Sequence, residues 1–170
     1  SYRQELRSEK GFRWEAWVEA IDFCVNRNVN LEEALQWSDY AMNAVFVGQR
    51  NFRTLSAKAS VLQKLNRSAE ADQLMKEAIP MGTMMELHVY GRQLIAEKKF
   101  ADALQVFKIN AQKNPGIFTP NMGLMRGYSA TGDLKNALKY AKLALTLAPE
   151  NQKKMVEGFI QTLESGKEVN

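Results

Sequence analysis

His88 is the only histidine and Cys24 the only cysteine in 170 residues, so the side chains that most often move protons or attack carbon have one representative each. Acid–base and nucleophilic catalysis need several such groups converging on one reacting atom. His88 and Cys24 alone cannot complete a four-ligand Cys/His metal site, one cysteine cannot close a disulfide within the chain, and no glycine-rich phosphate loop occurs. The pattern predicts a protein that is not an enzyme and holds neither cofactor nor metal. Cys24 reads as a small core residue. His88, in the amphipathic stretch TMMELHVYGR, reads as a structural or solvent-facing group. What remains is the chemistry of the basic side chains. Lys and Arg number 23 against 19 Asp and Glu, and the excess is uneven, with 6 basic against 8 acidic residues over 1–50 and 17 against 11 over 51–170. A guanidinium holds a carboxylate in a two-bond fork. Basic residues dispersed along helices also serve simply to solvate a face, so both readings stand at this point.

The elements that carry these residues are helical. Only 10 Gly and 4 Pro interrupt windows filled with Ala, Leu, Lys, Glu, Gln and Met, and no run of alternating β-branched residues predicts a strand. Hydrophobic residues make up 45% of the chain, enough for a buried core. No apolar stretch approaches the ~20 residues of a membrane span. The first residues, SYRQELRSEK, lack the apolar centre of a signal peptide. The start at Ser1 without methionine predicts a segment excised from a longer chain.

The segment YSATGDLKNALKYAKLALTLAPEN, residues 128–151, combines a glycine-aspartate turn, an alanine-lined helix and a proline stop, and it recurs. Pro115 and Pro149 are 34 residues apart, and at the same spacing Ala103 meets Ala137, Leu94 meets Tyr128, and Tyr90 meets Leu124. Further upstream the alanines continue as Ala34 and Ala71, with steps of 37, 32 and 34 along the series. Small residues let two antiparallel helices approach, and large apolar residues beside them fill the gaps. Approximate units of 12–46, 52–80, 84–117 and 118–150 follow. Residues 151–165, with Met155, Val156, Phe159, Ile160 and Leu163 at helical spacing, form a capping helix, so nine helices are expected. Thr119-Pro120 is expected to cap and open a helix, Asn30 to precede another, and AVFVGQRN, residues 44–51, to be an extended link. Trp14, Trp17 and Trp37 all fall in the first unit, where they close a core or form a platform.

The spacing of Leu124, Tyr128, Gly132, Ala137, Ala144 and Pro149 resembles the tetratricopeptide repeat, a helix-turn-helix unit of about 34 residues. The preceding copy keeps Gly91, Phe100, Ala103, Phe107 and Pro115. It departs from the pattern at Lys98-Lys99, where a turn glycine is expected; Met125 in the last copy and Asp22 in the first replace small residues. The resemblance implies an all-α fold, a right-handed α-solenoid of about four hairpins plus a cap. Residues 87–115 and the copy after them are also similar to the C-terminal repeats of uncharacterised bacterial proteins in which a β-rich domain precedes the repeats. That likeness implies the cell envelope or periplasm, with the cytoplasm left open.

The resemblance also implies a concave groove lined by the first helix of each unit. Carried over residue by residue, its positions include Asn26 and Arg27 in the first unit, then Arg53, Ser56, Ser60, Gln63 and Lys64 in the second. The third unit supplies His88 and Arg92, and the fourth Met122, Arg126 and Ser129. The basic members suit an acidic or C-terminal peptide, which makes the expected function a protein-protein interaction module. Chaperone-binding members of the family hold a terminal carboxylate with Lys and Asn in their first unit, where this chain has Glu19 and Phe23, so that use is disfavoured. The competing expectation is a support solenoid that packs on an upstream domain or on a copy of itself. Nucleic acid is not expected, because the repeats carry no recurring stacking set.

Overall fold

The computed structural model describes all residues 1–170 and is all-α. Nine α-helices of 11 to 15 residues carry the fold: α2 (Trp14–Arg27), α3 (Leu31–Asn43), α4 (Phe52–Lys64), α5 (Ser68–Ala78), α6 (Met84–Ala96), α7 (Phe100–Lys113), α8 (Phe118–Ala130), α9 (Leu134–Leu147) and α10 (Glu150–Glu164). A four-residue helix α1 (Tyr2–Glu5) and two short 3-10 turns, Glu9–Phe12 and Ile79–Met81, add to the nine expected. The helices form two compact units, Ser1–Gly82 and Thr83–Asn170.

In the first unit α2 pairs with α3 and α4 with α5, while α4 also packs on α2 and α3. In the second, α6 pairs with α7 and α8 with α9, α8 also packs on α6 and α7, and α10 covers α9. The regularity has two local causes. Ala34, Ala71, Ala103 and Ala137 are each the fourth residue of their helix and each is 0% exposed, so the recurring alanine marks one recurring site of close approach. The other cause is a common helix stop. Asn28, Asn66, Lys98, Gly132 and Gly166 all take left-handed backbone, with φ of 54°, 59°, 61°, 80° and 77°. Around each, two N–H groups turn back onto the last carbonyls of the helix, as in Arg67 N–H to the Leu62 carbonyl at 2.8 Å and Lys99 N–H to the Leu94 carbonyl at 2.8 Å. The same backbone reversal thus ends five of the helices.

Helix starts are fixed by side chains. Asn51 and Thr54 cap α4 reciprocally, as do Thr83 and Glu86 on α6, and the Asp133 carboxylate accepts the Asn136 N–H at 3.1 Å to open α9. Three local expectations are corrected. The cap of α8 is Ile117, so Thr119 and Pro120 both lie inside its first turn, where a missing proline N–H is tolerated because it has no helical partner. Within residues 44–51 the ends are extended as expected, at Ala44 and Asn51, but residues 45–47 form a turn: Phe46 is left-handed, and the Gly48 and Gln49 N–H groups bond back to the Ala44 and Ala41 carbonyls. In α10, Val156 and Leu163 are buried, but Met155 is 44% exposed.

The first unit buries Val18, Ile21, Cys24, Ala34, Ala57 and Val61, with Trp14 and Trp37 packed against them. Trp17 packs against Tyr40 in a tilted ring pair at 4.4 Å and donates its indole N–H to the Gly11 carbonyl at 2.9 Å, which ties the N-terminal 3-10 turn to α2. The aromatics therefore close the core. In the second unit the 0%-exposed Phe107 ring of α7 lies against Gly91 of α6 and Gly123 and Gly127 of α8; a Cβ at Gly91 or Gly123 would sit 2.4 or 2.5 Å from it. Glycine at these positions makes room for one aromatic ring between three helices. No helix is long and apolar enough to cross a membrane.

Candidate functional site

In the first unit the sequence-expected residues are mostly occupied with their own helices. The Ser56 and Ser60 hydroxyls donate to the Arg53 and Ser56 carbonyls at 3.2 and 3.0 Å. Arg27 lies over the Phe23 ring at 4.8 Å and Arg53 over the Trp14 ring at 5.8 Å, and the Arg53 charge also acts on Asp22. Burial raises the Asp22 pKa in spite of that neighbour. Gln63 is half-buried, and Asn26 and Lys64 are exposed.

The second unit does gather its candidates. Arg92 on α6 and Arg126 on α8, with Ile95, Ala96 and Asn170, line a cavity of about 230 Å³. The Arg126 guanidinium lies 5.1 Å over the ring of Phe159 from α10, which orients it and removes part of its water. Burial first, and the Arg92 charge second, lower the Arg126 pKa, so the two cations feel each other. The chain forms nine ion pairs, and neither Arg92 nor Arg126 takes part in any of them. Two guanidiniums on one cavity without a carboxylate are chemically suited to pair with an anion.

His88, one turn before Arg92 on α6, faces the same side. Its ring centre is 5.9 Å from that of Phe107, and its Nδ1 is buried without a hydrogen-bond partner. Burial, followed by the Arg92 and Arg126 charges, lowers its pKa from 6.5 to about 4. The imidazole is thus neutral at neutral pH and adds no third positive charge. Met122, expected to line an open groove, is only 5% exposed and belongs to the core cluster that also holds Leu163 of α10 and Val169 of the segment after it.

That segment is what sequence reasoning missed. The Val169 N–H donates to the Ser129 hydroxyl at 2.7 Å, Val169 is 5% exposed, and the Asn170 side-chain amide donates to the Arg126 carbonyl at 3.3 Å. Gly166 after an amphipathic helix was the available signal, since it is the residue type that reverses a chain. A second, more open hollow of about 390 Å³ runs along α7, α8 and α9 beside the stacked Tyr128 and Tyr140 rings, 5.5 Å apart. It gathers amides and Lys108 rather than converging charge.

No protein-family model matches the chain, and no curated protein matches it.

Proposed function

We propose that the chain is a non-catalytic interaction module of tetratricopeptide-like hairpins that binds an acidic, extended peptide segment through the α6 and α8 face of its second unit. The observation that carries this reading is the pair Arg92 and Arg126, which line one cavity and have no carboxylate of their own. A peptide carboxylate there gains charge-assisted hydrogen bonds, and Arg126 is already held in place by Phe159. Neutral His88 supplies an acceptor or a donor beside them without competing for the anion. The repeated alanine and the repeated left-handed stop support the solenoid reading of the hairpins.

Calorimetric titration of acidic peptides into the wild type and the Arg92→Glu protein tests the proposal. A loss of roughly tenfold or more in affinity on charge reversal is expected. Equal affinity for both proteins removes the arginines from the account.

A second reading, a support module that packs on another domain or on its own copy, is favoured by Phe12, Val45 and Phe46, which are 73%, 77% and 101% exposed in the first unit. Concentration-dependent light scattering that disappears in the Phe46→Ser protein would favour it. A monodisperse monomer at all concentrations argues against self-association.

A further inference from the structure

Helix α6 buries Leu87 and Leu94, at 0% and 3% exposure, yet leaves Met85 and Val89 53% and 59% exposed. With 3.6 residues per turn, Met85, Val89, Arg92 and Ala96 stand within about 60° of one another around the helix, and all four are exposed. They form one stripe. Its first half is apolar, and its second half enters the cavity that Arg92 and Ala96 line together with Arg126. Arg92 forms no ion pair within the chain. Large apolar side chains in water beside a free guanidinium suit a partner that is apolar at one end of the stripe and negative at the other.

The stripe also sets a spacing. Met85 and Val89 are about 6 Å apart along the helix axis, and the cavity residues Arg92 and Ala96 lie about 10 to 17 Å beyond Met85. In an extended peptide, side chains on one side recur every second residue, about 6.6 Å, and the fourth residue after the first is about 13 Å away. A peptide with apolar residues on Met85 and Val89 therefore brings its next side chain on that face to the arginines.

We infer that the partner segment carries two apolar residues separated by one residue and, at the same interval beyond them, an aspartate or glutamate. The apolar pair lies on Met85 and Val89, and the carboxylate reaches Arg92 and Arg126. The inference rests on the peptide-binding reading above and adds the apolar contacts and their spacing from the charge.

The test uses three fluorescein-labelled, C-terminally amidated peptides, each made in both chain directions because the stripe fixes spacing and not direction. They are the alternating Ser-Leu-Ser-Leu-Ser-Asp-Ser, the shifted Ser-Ser-Leu-Ser-Leu-Asp-Ser, whose aspartate points away from its leucines when extended, and Ser-Ser-Ser-Ser-Ser-Asp-Ser. The wild type binds the better alternating peptide roughly tenfold tighter than any of the others, and the protein carrying Met85→Ser and Val89→Ser loses that preference while keeping its helical circular dichroism. Equal binding of alternating and shifted peptides overturns the inference, as does a preference that survives both serines. So does a peptide that turns helical on binding, or loss of helical structure in the doubly substituted protein, since Met85 and Val89 are then part of the core. The Arg92→Glu exchange separates the two readings. If all three peptides bind alike and Arg92→Glu weakens them, the arginine seat stands and the inference falls. If the leucine peptides bind better than the one without leucine but Arg92→Glu weakens none of them, the arginine seat falls and takes the spacing with it. No binding of any peptide removes both.

Discussion

His88 sits where packing and charge act in the same direction. Its ring lies against Phe107 while two guanidiniums stand nearby, and both effects disfavour the imidazolium, so the folded pKa falls from 6.5 to about 4. Above pH 6.5 folded and unfolded chains are both neutral at this residue, and it contributes no pH dependence. As pH falls from 6.5 towards 4, the unfolded chain takes up a proton that the folded chain refuses, and stability declines. Because water reaches part of the ring, the loss is on the order of 1–2 kcal/mol rather than the full value of the shift. Urea denaturation of the wild type and the His88→Gln protein between pH 7 and about 4.5 measures it, with a flatter profile expected for the variant. Parallel profiles would mean that His88 does not titrate differently on folding. The same residue shows the limits of reading chemistry from a lone histidine. Its place on an amphipathic helix was plain in TMMELHVYGR, but its lowered pKa comes first from burial, beside Phe107 of α7, and then from the charges of Arg92 and Arg126, and the ring of α7 and Arg126 of α8 are brought to it only by packing.

At the scale of the helix, the repeated stop is the feature with the clearest energetic consequence. Three hairpin turns place Asn66, Lys98 and Gly132 in left-handed backbone at the same point after their first helices. Lysine is the misfit, because a Cβ in this conformation costs roughly 1–2 kcal/mol while glycine loses about 0.5–1 kcal/mol more backbone entropy on folding. Lys98→Gly is therefore expected to stabilise the chain by about 0.5–1 kcal/mol, and Lys98→Ala to bring no such gain, in thermal or urea unfolding. Equal effects of the two substitutions would mean that the turn is not strained. The helices themselves were legible because alanine and large apolar residues recur with the period of a packed hairpin, and Ala103 and Ala137 do occupy equivalent buried sites. Less legible was anything set by a single turn. Residues 44–51 read as a link because they lack helical periodicity, yet Phe46 is left-handed and residues 45–47 form a turn. Ile117, which makes no side-chain cap bond, stands at the cap expected of Thr119, and Pro120 is buried inside the first turn. The groove positions transferred from the repeat pattern placed Arg92 and Arg126 at one cavity but put Met122 on a surface, whereas it is buried in the core of the second unit.

For the whole molecule, the formal charge of +4 conceals an uneven distribution of paired and unpaired cations. Bridges such as Arg3 to Glu33 and Arg67 to Glu70 neutralise exposed side chains and contribute little to stability. Arg92 and Arg126 are different because they share one cavity without a counter-ion. Under the proposed function they are where a negatively charged segment binds. A charge exchange tests this most directly: a short C-terminally amidated peptide ending in Asp, and the same peptide ending in Lys, are each titrated into the wild type and into a protein carrying Arg92→Glu and Arg126→Glu. The account predicts that the wild type prefers the Asp peptide and that the doubly reversed protein prefers the Lys peptide, with both preferences weakening as salt is raised. A preference that stays the same when both arginines are reversed would contradict it.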